Sequence, residues 1–551
     1  MSLQPMPIAP VPEETVRIAR AAFPKGNLYL TIRDELGTIY TDETFADLFP
    51  AVGQPAQAPW RLALVTVFQF LEGLSDRQAA EAVRSRIDWK YGLGLELSDA
   101  GFDASLLCEF RARLLAHEAS ERLLDVLLEQ CKARGWLKAR GKQRTDSTHV
   151  LAAIRLLNRL ELVGETLRAA LEDLATLAPD WLSSWVPTAW FERYGRRIEE
   201  GRLPKAQAER QALAEQIGAD GALVLSQVYD AQAPSFLREL PAVQELRVTW
   251  IHQFVRQDGL VRLRAKEDLP PCALRHDSPY DPEARYSTKR ERSWIGYKVH
   301  LTESCDDQQV HLVTHVATTH APTIDGEQTE RIHQALAARD LLPQEHLVDT
   351  GYVEAELLVS SQQQYGVRLL GPTRPDVSWQ GQQASGYATS QFHIAWAAQQ
   401  ATCPQGVRSV IWQERPDQRG HASITIRFPA QACAACPARA SCTRSPGLPR
   451  QLTVPPQARY EALHARRQEQ QTPAFKQSYA LRAGVEGTIS QAVRAFGVRR
   501  SRYLGLAKTH LQQVSSAVAL NLSRLHHWRG GTPRAKTRTS RFAALALRPA
   551  G

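Results

Sequence analysis

No stretch of this 551-residue chain is long and apolar enough to cross a bilayer; the best run, Leu62 to Leu71, falls well short of the roughly 20 residues a spanning helix needs. A basic-then-apolar leader is also missing: Met1 to Pro12 is proline-rich and uncharged, and reads as a loose lead-in. Neither charge sign dominates. Against 67 Lys and Arg stand 58 Asp and Glu, a net of +9, which favours a polyanionic partner without requiring one. Cysteine is scarce, with eight residues, and four of them (Cys108, Cys131, Cys272, Cys305) are scattered and read as small buried side chains. These absences argue against a membrane-embedded protein or a disulfide-stapled secreted one. The expectation is a soluble, cytoplasmic protein of several domains or of one domain enlarged by insertions.

The chain reads as helical from about residue 15 to 140. Leu62, Ala63, Val65, Phe68 and Leu71 form an apolar face that stops at Gly73, and Ser75 is placed to cap a second helix over Asp76 to Val83. Such a pair fits a DNA-reading helix-turn-helix and equally fits ordinary helical packing. At Thr145-Asp-Ser-Thr-His-Val-Leu151 the pattern turns to strand, and Asp146 interrupts it, as a strand end or as a functional acid. Residues 152 to about 245 return to helical spacing and read as an insertion, a scaffold more readily than a contact surface. Residues 265 to 292 read as a linker or loop.

From residue 293 to 371 strand and helix alternate. Trp294 to Leu301 and Gln309 to Val316 read as a hairpin. Helices at Asp325 to Leu336 and Glu354 to Gln363 alternate with strands at His346 to Asp349 and Val367 to Leu370. That order implies a mixed sheet with helices on its faces. Asp349, at a strand exit before Gly351, is placed either as a turn former or at a site. Asp325 reads as a helix cap. Beyond residue 372 come short strands and Cys403, Cys433, Cys436 and Cys442, a spacing suited to a structural zinc or to free buried thiols.

Near the end, Tyr479, Arg482 and Glu486 fall on one face of a helix whose apolar side is Val485, Ile489, Val493 and Phe496. A basic loop follows, with Arg499, Arg500, Arg502 and Tyr503, and then a helix from Leu506 to Leu525 with Lys508 near its start. The tail, with Arg534, Lys536, Arg538 and Arg541, reads as basic and disordered.

Three segments together resemble the DDE transposases of bacterial insertion sequences: Arg144-Thr-Asp-Ser-Thr-His149, Leu347-Val-Asp-Thr-Gly-Tyr352, and the Tyr479, Arg482, Glu486 face with its arginine-rich loop. Those enzymes carry Y-x2-R-x3-E-x6-K, and here the lysine position is Val493, so that Arg494, Arg499 or Lys508 would take its role. The resemblance implies an α/β, RNase-H-like mixed sheet with flanking helices over 136–528, carrying a helical insertion at about 152–285 and a strand and cysteine insertion at about 372–475. An N-terminal helical, DNA-end-binding domain would span 15–135, and a basic tail 529–551. The resemblance further implies catalytic Asp146, Asp349 and Glu486 holding two Mg2+ or Mn2+. DNA contacts would come from Tyr479, Arg482, Arg494, Arg499, Arg500, Arg502 and Lys508, and the working form would be a homodimer or larger synaptic complex. A nuclease of the same fold and an inactive DNA-binding regulator are the rivals. His149, Lys298 and His300 are nearby and read as structural or solvated.

Overall fold

The computed structural model describes residues 1–533 apart from 290, 384, 418 and 419; the expected basic tail from Arg534 lies outside them. Seven helices come first: α1 (Glu13–Ala22), α2 (Leu28–Leu36), α3 (Pro59–Glu72), α4 (Asp76–Ser85), α5 (Ile87–Leu93), α6 (Ser105–Ala116) and α7 (Arg122–Ala133). Helix α3 is buried from Pro59 to Phe70. It stops at Gly73, whose φ of 72° is open to glycine at little cost, and the Ser75–Gln78 capping box starts α4. The lead-in is partly anchored: Ser2 bridges to Pro55 and is buried.

Strand β1 (Lys142–Leu151) opens the main sheet. Then comes a helical insertion, α8 (Arg159–Leu177), α9 (Pro179–Ser183), α10 (Ala189–Tyr194), α11 (Gln207–Val228) and α12 (Pro241–Gln253), closed by the ribbon β2 (Phe254–Gln257) and β3 (Leu260–Leu263). It has its own apolar core around Val163, Leu167, Ile217, Leu246 and Trp250. The sheet resumes with β4 (Arg285–Lys289), β5 (Arg292–Ser304), β6 (Val313–His320), helix α13 (Gly326–Ala338), β7 (Glu345–Leu347), helix α14 (Ala355–Tyr365) and β8 (Arg368–Leu370). Strand β4 corrects the expected loop over 265–292: Arg285 to Lys289 pair antiparallel with Gly296 to Arg292, and Tyr286 fills a strand position on the half-buried edge.

The strand order is β4-β5-β1-β7-β8, with β6 also on β5. Strands β4, β5, β1 and β6 are antiparallel, and β1, β7 and β8 are parallel. This curled mixed sheet flanked by helices is consistent with an RNase-H-like core joined to a helical N-terminal region.

The second insertion holds α15 (Trp379–Gln382), β9 (His393–Ala395), β10 (Gln400–Thr402), β11 (Ile411–Pro416), β12 (Ala422–Arg427), α16 (Ala430–Ala434), α17 (Arg439–Cys442) and β13 (Gln451–Val454). The chain ends in α18 (Gln457–Glu469), α19 (Pro473–Ala480), α20 (Gly484–Phe496) and α21 (Leu506–Arg529). Helix α21 is buried from Leu511 to Leu522 because it packs on both the sheet, at β6, and the N-terminal helices α3 and α7. One apolar core therefore runs from Tyr29 and Phe68 to Val316, Val518 and Leu525. Strand β6 lies at a sheet edge, and Asn521 pairs with it as a strand would: its Nδ2 donates to Val313 O (2.9 Å) and its Oδ1 accepts from Val313 N (2.7 Å).

Four histidines are enclosed here. Burial pushes His300 down to about 3 and His315 and His333 to about 4, and holds His346 well below its ordinary value. The unfolded chain would protonate these rings near pH 6.5, so it binds more protons than the folded one below that pH. Their contribution to stability is complete above about pH 6.5 and is lost as pH falls, at roughly 1.4 kcal/mol per ring per pH unit. The melting temperature is expected to be level from pH 7 to 8 and to drop steeply between 6.5 and 4; a level profile through that window would contradict the neutral assignment.

Candidate active site

Strand β1 pairs with β7 only over Lys142 to Arg144, while its pairing with β5 continues to Leu151. Beyond Arg144 the sheet splits on the β7 side. The split closes again at the far end, where Leu151 N donates to Arg499 O and accepts Ser501 N at its carbonyl, both at 2.8 Å. Asp146 sits in the middle of β1 beside this gap, which settles its place as a strand-interior residue and not a strand end. Asp349 lies two residues past β7, where its Oδ1 accepts Gly351 N at 2.8 Å and shapes a tight turn.

The third acid comes from the C-terminal helices. The expected single helix through Tyr479, Arg482 and Glu486 is in fact two: α19 ends at Ala480, Leu481–Ala483 form a 3-10 turn, and α20 begins at Gly484. A Cβ on Gly484 would lie 2.0 Å from Arg144 Nη1, so the bare glycine leaves room for that guanidinium to donate to Leu481 O at 2.6 Å.

One side chain touches all three acids. Arg482 Nη2 donates to Asp146 Oδ2 (2.7 Å) and lies 4.0 Å from Asp349 Oδ2, while its Nη1 is 3.2 Å from Glu486 Oε1. Burial opposes the Arg482 charge, but Asp146, Tyr479, Asp349 and Glu486 outweigh it and hold the guanidinium above its ordinary value. Asp146 is raised as well, which for a carboxylate disfavours the charge: burial lifts it, and Arg482 only partly offsets that. Tyr479 stacks on Phe475 with ring centroids 5.6 Å apart.

Beneath the acids is a charged clamp that sequence reasoning missed. Glu303 on β5 is fully buried and accepts from Arg144 Nε (2.7 Å), Arg524 Nη1 (2.7 Å) and Thr488 Oγ1 (2.6 Å). Burial opposes its charge, yet Arg524 and Arg144 hold it below the usual carboxylate range. It thereby ties β1, β5, α20 and α21 together. Only Arg144, inside the quoted motif, carried any signal of it.

Asp325 is also corrected. It occupies the position before α13 but makes no capping bond; its Oδ1 accepts from Lys298 Nζ (2.9 Å) and Ser147 Oγ (3.3 Å). A Cβ on Gly351 would meet Asp325 Oδ2 at 3.2 Å and Asp349 Oδ1 at 3.0 Å, so both carboxylates converge on that turn. His300 is buried, bonded to Tyr352 Oη (2.6 Å) and Thr319.

The expected DNA-contacting residues are placed as follows. Arg499 donates to Thr148 Oγ1 (2.8 Å), two residues from Asp146 on the same face of β1. Arg500 is exposed beside it. Arg502 turns to the N-terminal helices, bonding Leu74 O (2.9 Å) over the Phe70 ring. Arg494 is bonded to Ser490 on its own helix, and Lys508 is exposed at the start of α21.

Cys403, Cys433, Cys436 and Cys442 line one cavity of about 30 Å3, all as free thiols. Burial pushes the Cys442 thiol up; Arg450 opposes this, and the other three sulfurs add to it. Of the scattered cysteines, Cys131 and Cys305 are buried, but Cys108 and Cys272 are exposed, against expectation, because each sits on a solvent-facing side of its segment. Among the described residues, no group of three or more His, Cys, Asp or Glu is set to hold a metal ion as it stands. At the acids a cation, Arg482, already occupies the centre. The oxygen donors themselves suit a hard divalent ion.

The site thus lies at the split edge of a mixed α/β sheet consistent with an RNase-H-like core. The transposase DDE domain family matches residues 402–526, spanning the cysteines and the Tyr479 to Glu486 segment, and the transposase domain family DUF772 matches residues 18–113, spanning most of the N-terminal helices. The two matches support a DDE transposase of an insertion element, a DNA-transposing enzyme. No curated protein and no solved structure matches the chain.

Proposed function

We propose that this protein cuts DNA at the ends of its own mobile element and joins the freed ends to target DNA. The observation that carries this reading is the contact of Asp146, Asp349 and Glu486, from three distant segments, with the single Arg482 guanidinium at the split in the sheet. These acids would hold two Mg2+ or Mn2+, which when bound supply an activated oxygen nucleophile and charge stabilisation at the leaving oxygen. Arg482 would release the acids and offer its planar fork to the phosphate beside the cut, and Tyr479 would line the same edge. Water attack forms one P–O bond as the P–O3′ bond breaks, leaving a 5′-phosphate and a freed 3′-hydroxyl; attack by that hydroxyl on target DNA forms one P–O bond as another breaks, so no external energy source is needed. Two ends must be handled together, which favours a dimer or larger synaptic assembly. The exposed face of α4, with Arg77, Gln78 and Arg84, supports end binding by the N-terminal helices over 15–135, and the DNA substrate favours a cytoplasmic site of action.

The test is incubation of the purified protein and Mg2+ with DNA carrying the sequences that flank its coding region. Cleavage at the ends and covalent joining to a second plasmid are expected; cleavage without joining would make it a nuclease.

We propose a structural zinc at the four thiols, which line one cavity and would have to draw together to ligate it. About one zinc per chain is expected by elemental analysis, with a clear fall in Cys433→Ser and a lower melting temperature. A zinc-free, fully folded protein with four freely titrating thiols would exclude it.

A further inference from the structure

The tip of the β4–β5 hairpin and the loop after α20 both come near His149, toward the far end of β1. The loop is sewn to β1 by the two backbone bonds at Leu151, so Arg499 and Arg500 are fixed in position. The hairpin brings Lys289 and Arg292, paired across its last rung. His149 on β1 lies between the two: its ring is 5.6 Å from the Trp294 ring, and after burial, Arg499, Arg292 and Lys289 are the groups that depress its protonation. Lys289, Arg292 and Arg500 are exposed. Elsewhere this chain pairs its arginines freely with carboxylates, as at Arg86, Arg122 and Arg339. Among the described residues, none of these four cations makes an ion pair with a carboxylate, and Arg499 has only the Thr148 hydroxyl. Mutual repulsion among unpaired cations is unfavourable, so the cluster is best satisfied by an anion from outside.

Lys289 also acts on the Asp146 carboxylate, opposing its burial-driven rise, so the hairpin is within electrostatic reach of the acid cluster as well as of His149. DNA supplies a row of anions, one phosphate per strand about every 3.4 Å of axis. We infer that Lys289 and Arg292 of the hairpin, with Arg499 and Arg500 of the loop, form a jaw that grips the DNA backbone beside the phosphate at the acid cluster. This rests on the reading of that cluster as the cutting site, and it adds a hairpin that the transposase resemblance did not point to.

Binding of a fluorescein-labelled duplex of arbitrary sequence to the full chain, followed by anisotropy across a salt series, tests it. The doubly substituted Lys289→Gln, Arg292→Gln protein is expected to lose about tenfold or more in affinity near 0.15 M salt. The slope of log K against log salt should shrink by about 2, since each phosphate contact contributes about 0.9. Both side chains are exposed, so an unchanged melting temperature is the fold check; should the double variant melt early, Arg500→Gln alone is expected to reduce the slope by about 1. An unchanged affinity and slope in a folded variant would overturn the jaw and leave the cutting site standing. Asp349→Ala separates the two readings: it should keep the wild-type slope, and undiminished cutting by it would remove the cutting site instead.

Discussion

Asp349→Ala is expected to lower DNA cleavage by at least about 100-fold while duplex affinity stays within about twofold. Removing one charge that stabilises a developing transition state costs on the order of 100- to 1,000-fold, and an acid that helps hold the ions should cost no less. Asp349 is a cleaner test than Asp146. Its carboxylate is 4.0 Å from Arg482, against 2.7 Å for Asp146, so its loss leaves the main Arg482 contact in place. The structural cost is one turn-capping bond to Gly351 N, about 1 kcal/mol by the scale of cap deletions. Gel-resolved cleavage and anisotropy on the same preparation would check both halves. Cleavage at the wild-type rate would reduce Asp349 to its turn-forming role.

Glu303→Ala should be the most destabilising single change near the site. It leaves the Arg144 and Arg524 guanidiniums, 7% and 15% exposed, without their shared counter-charge. Breaking a buried ion pair by deleting one partner costs about 3–5 kcal/mol, because the remaining charge is stranded away from water. Glu303→Gln keeps an acceptor but loses the charge, so an intermediate loss is expected. The damage should spread to activity, since Arg144 also holds the turn at Leu481 that delivers Arg482 and Glu486. Thermal melting and protease susceptibility of the two variants would measure this ordering. A loss below about 1 kcal/mol for the alanine variant would mean that water reaches both guanidiniums.

Local pattern carried much of the architecture. The reading of strands alternating with helices over 293–371 put β5, β7, α13 and α14 close to their observed limits. It failed at β4, a short half-exposed strand whose pairing depends on a partner seen only in three dimensions. It also failed at Ala480 to Gly484, where helical spacing is intact but a 3-10 turn intervenes, its Leu481 carbonyl accepting from Arg144 of β1.

By itself, the chain's order of residues determined the succession of helices and strands and the presence of Asp146, Asp349 and Glu486 in motif-like surroundings, because propensity and periodicity act over a few neighbours. Only tertiary structure decided that Arg482 joins those acids, that Glu303 neutralises two buried arginines, and that Asp325 answers to Lys298 instead of capping a helix. Apart from the four-residue step from Arg482 to Glu486, each of these is a charge interaction between residues 27 to 336 positions apart. Its strength depends on distance and burial, quantities that exist only once the strands are side by side.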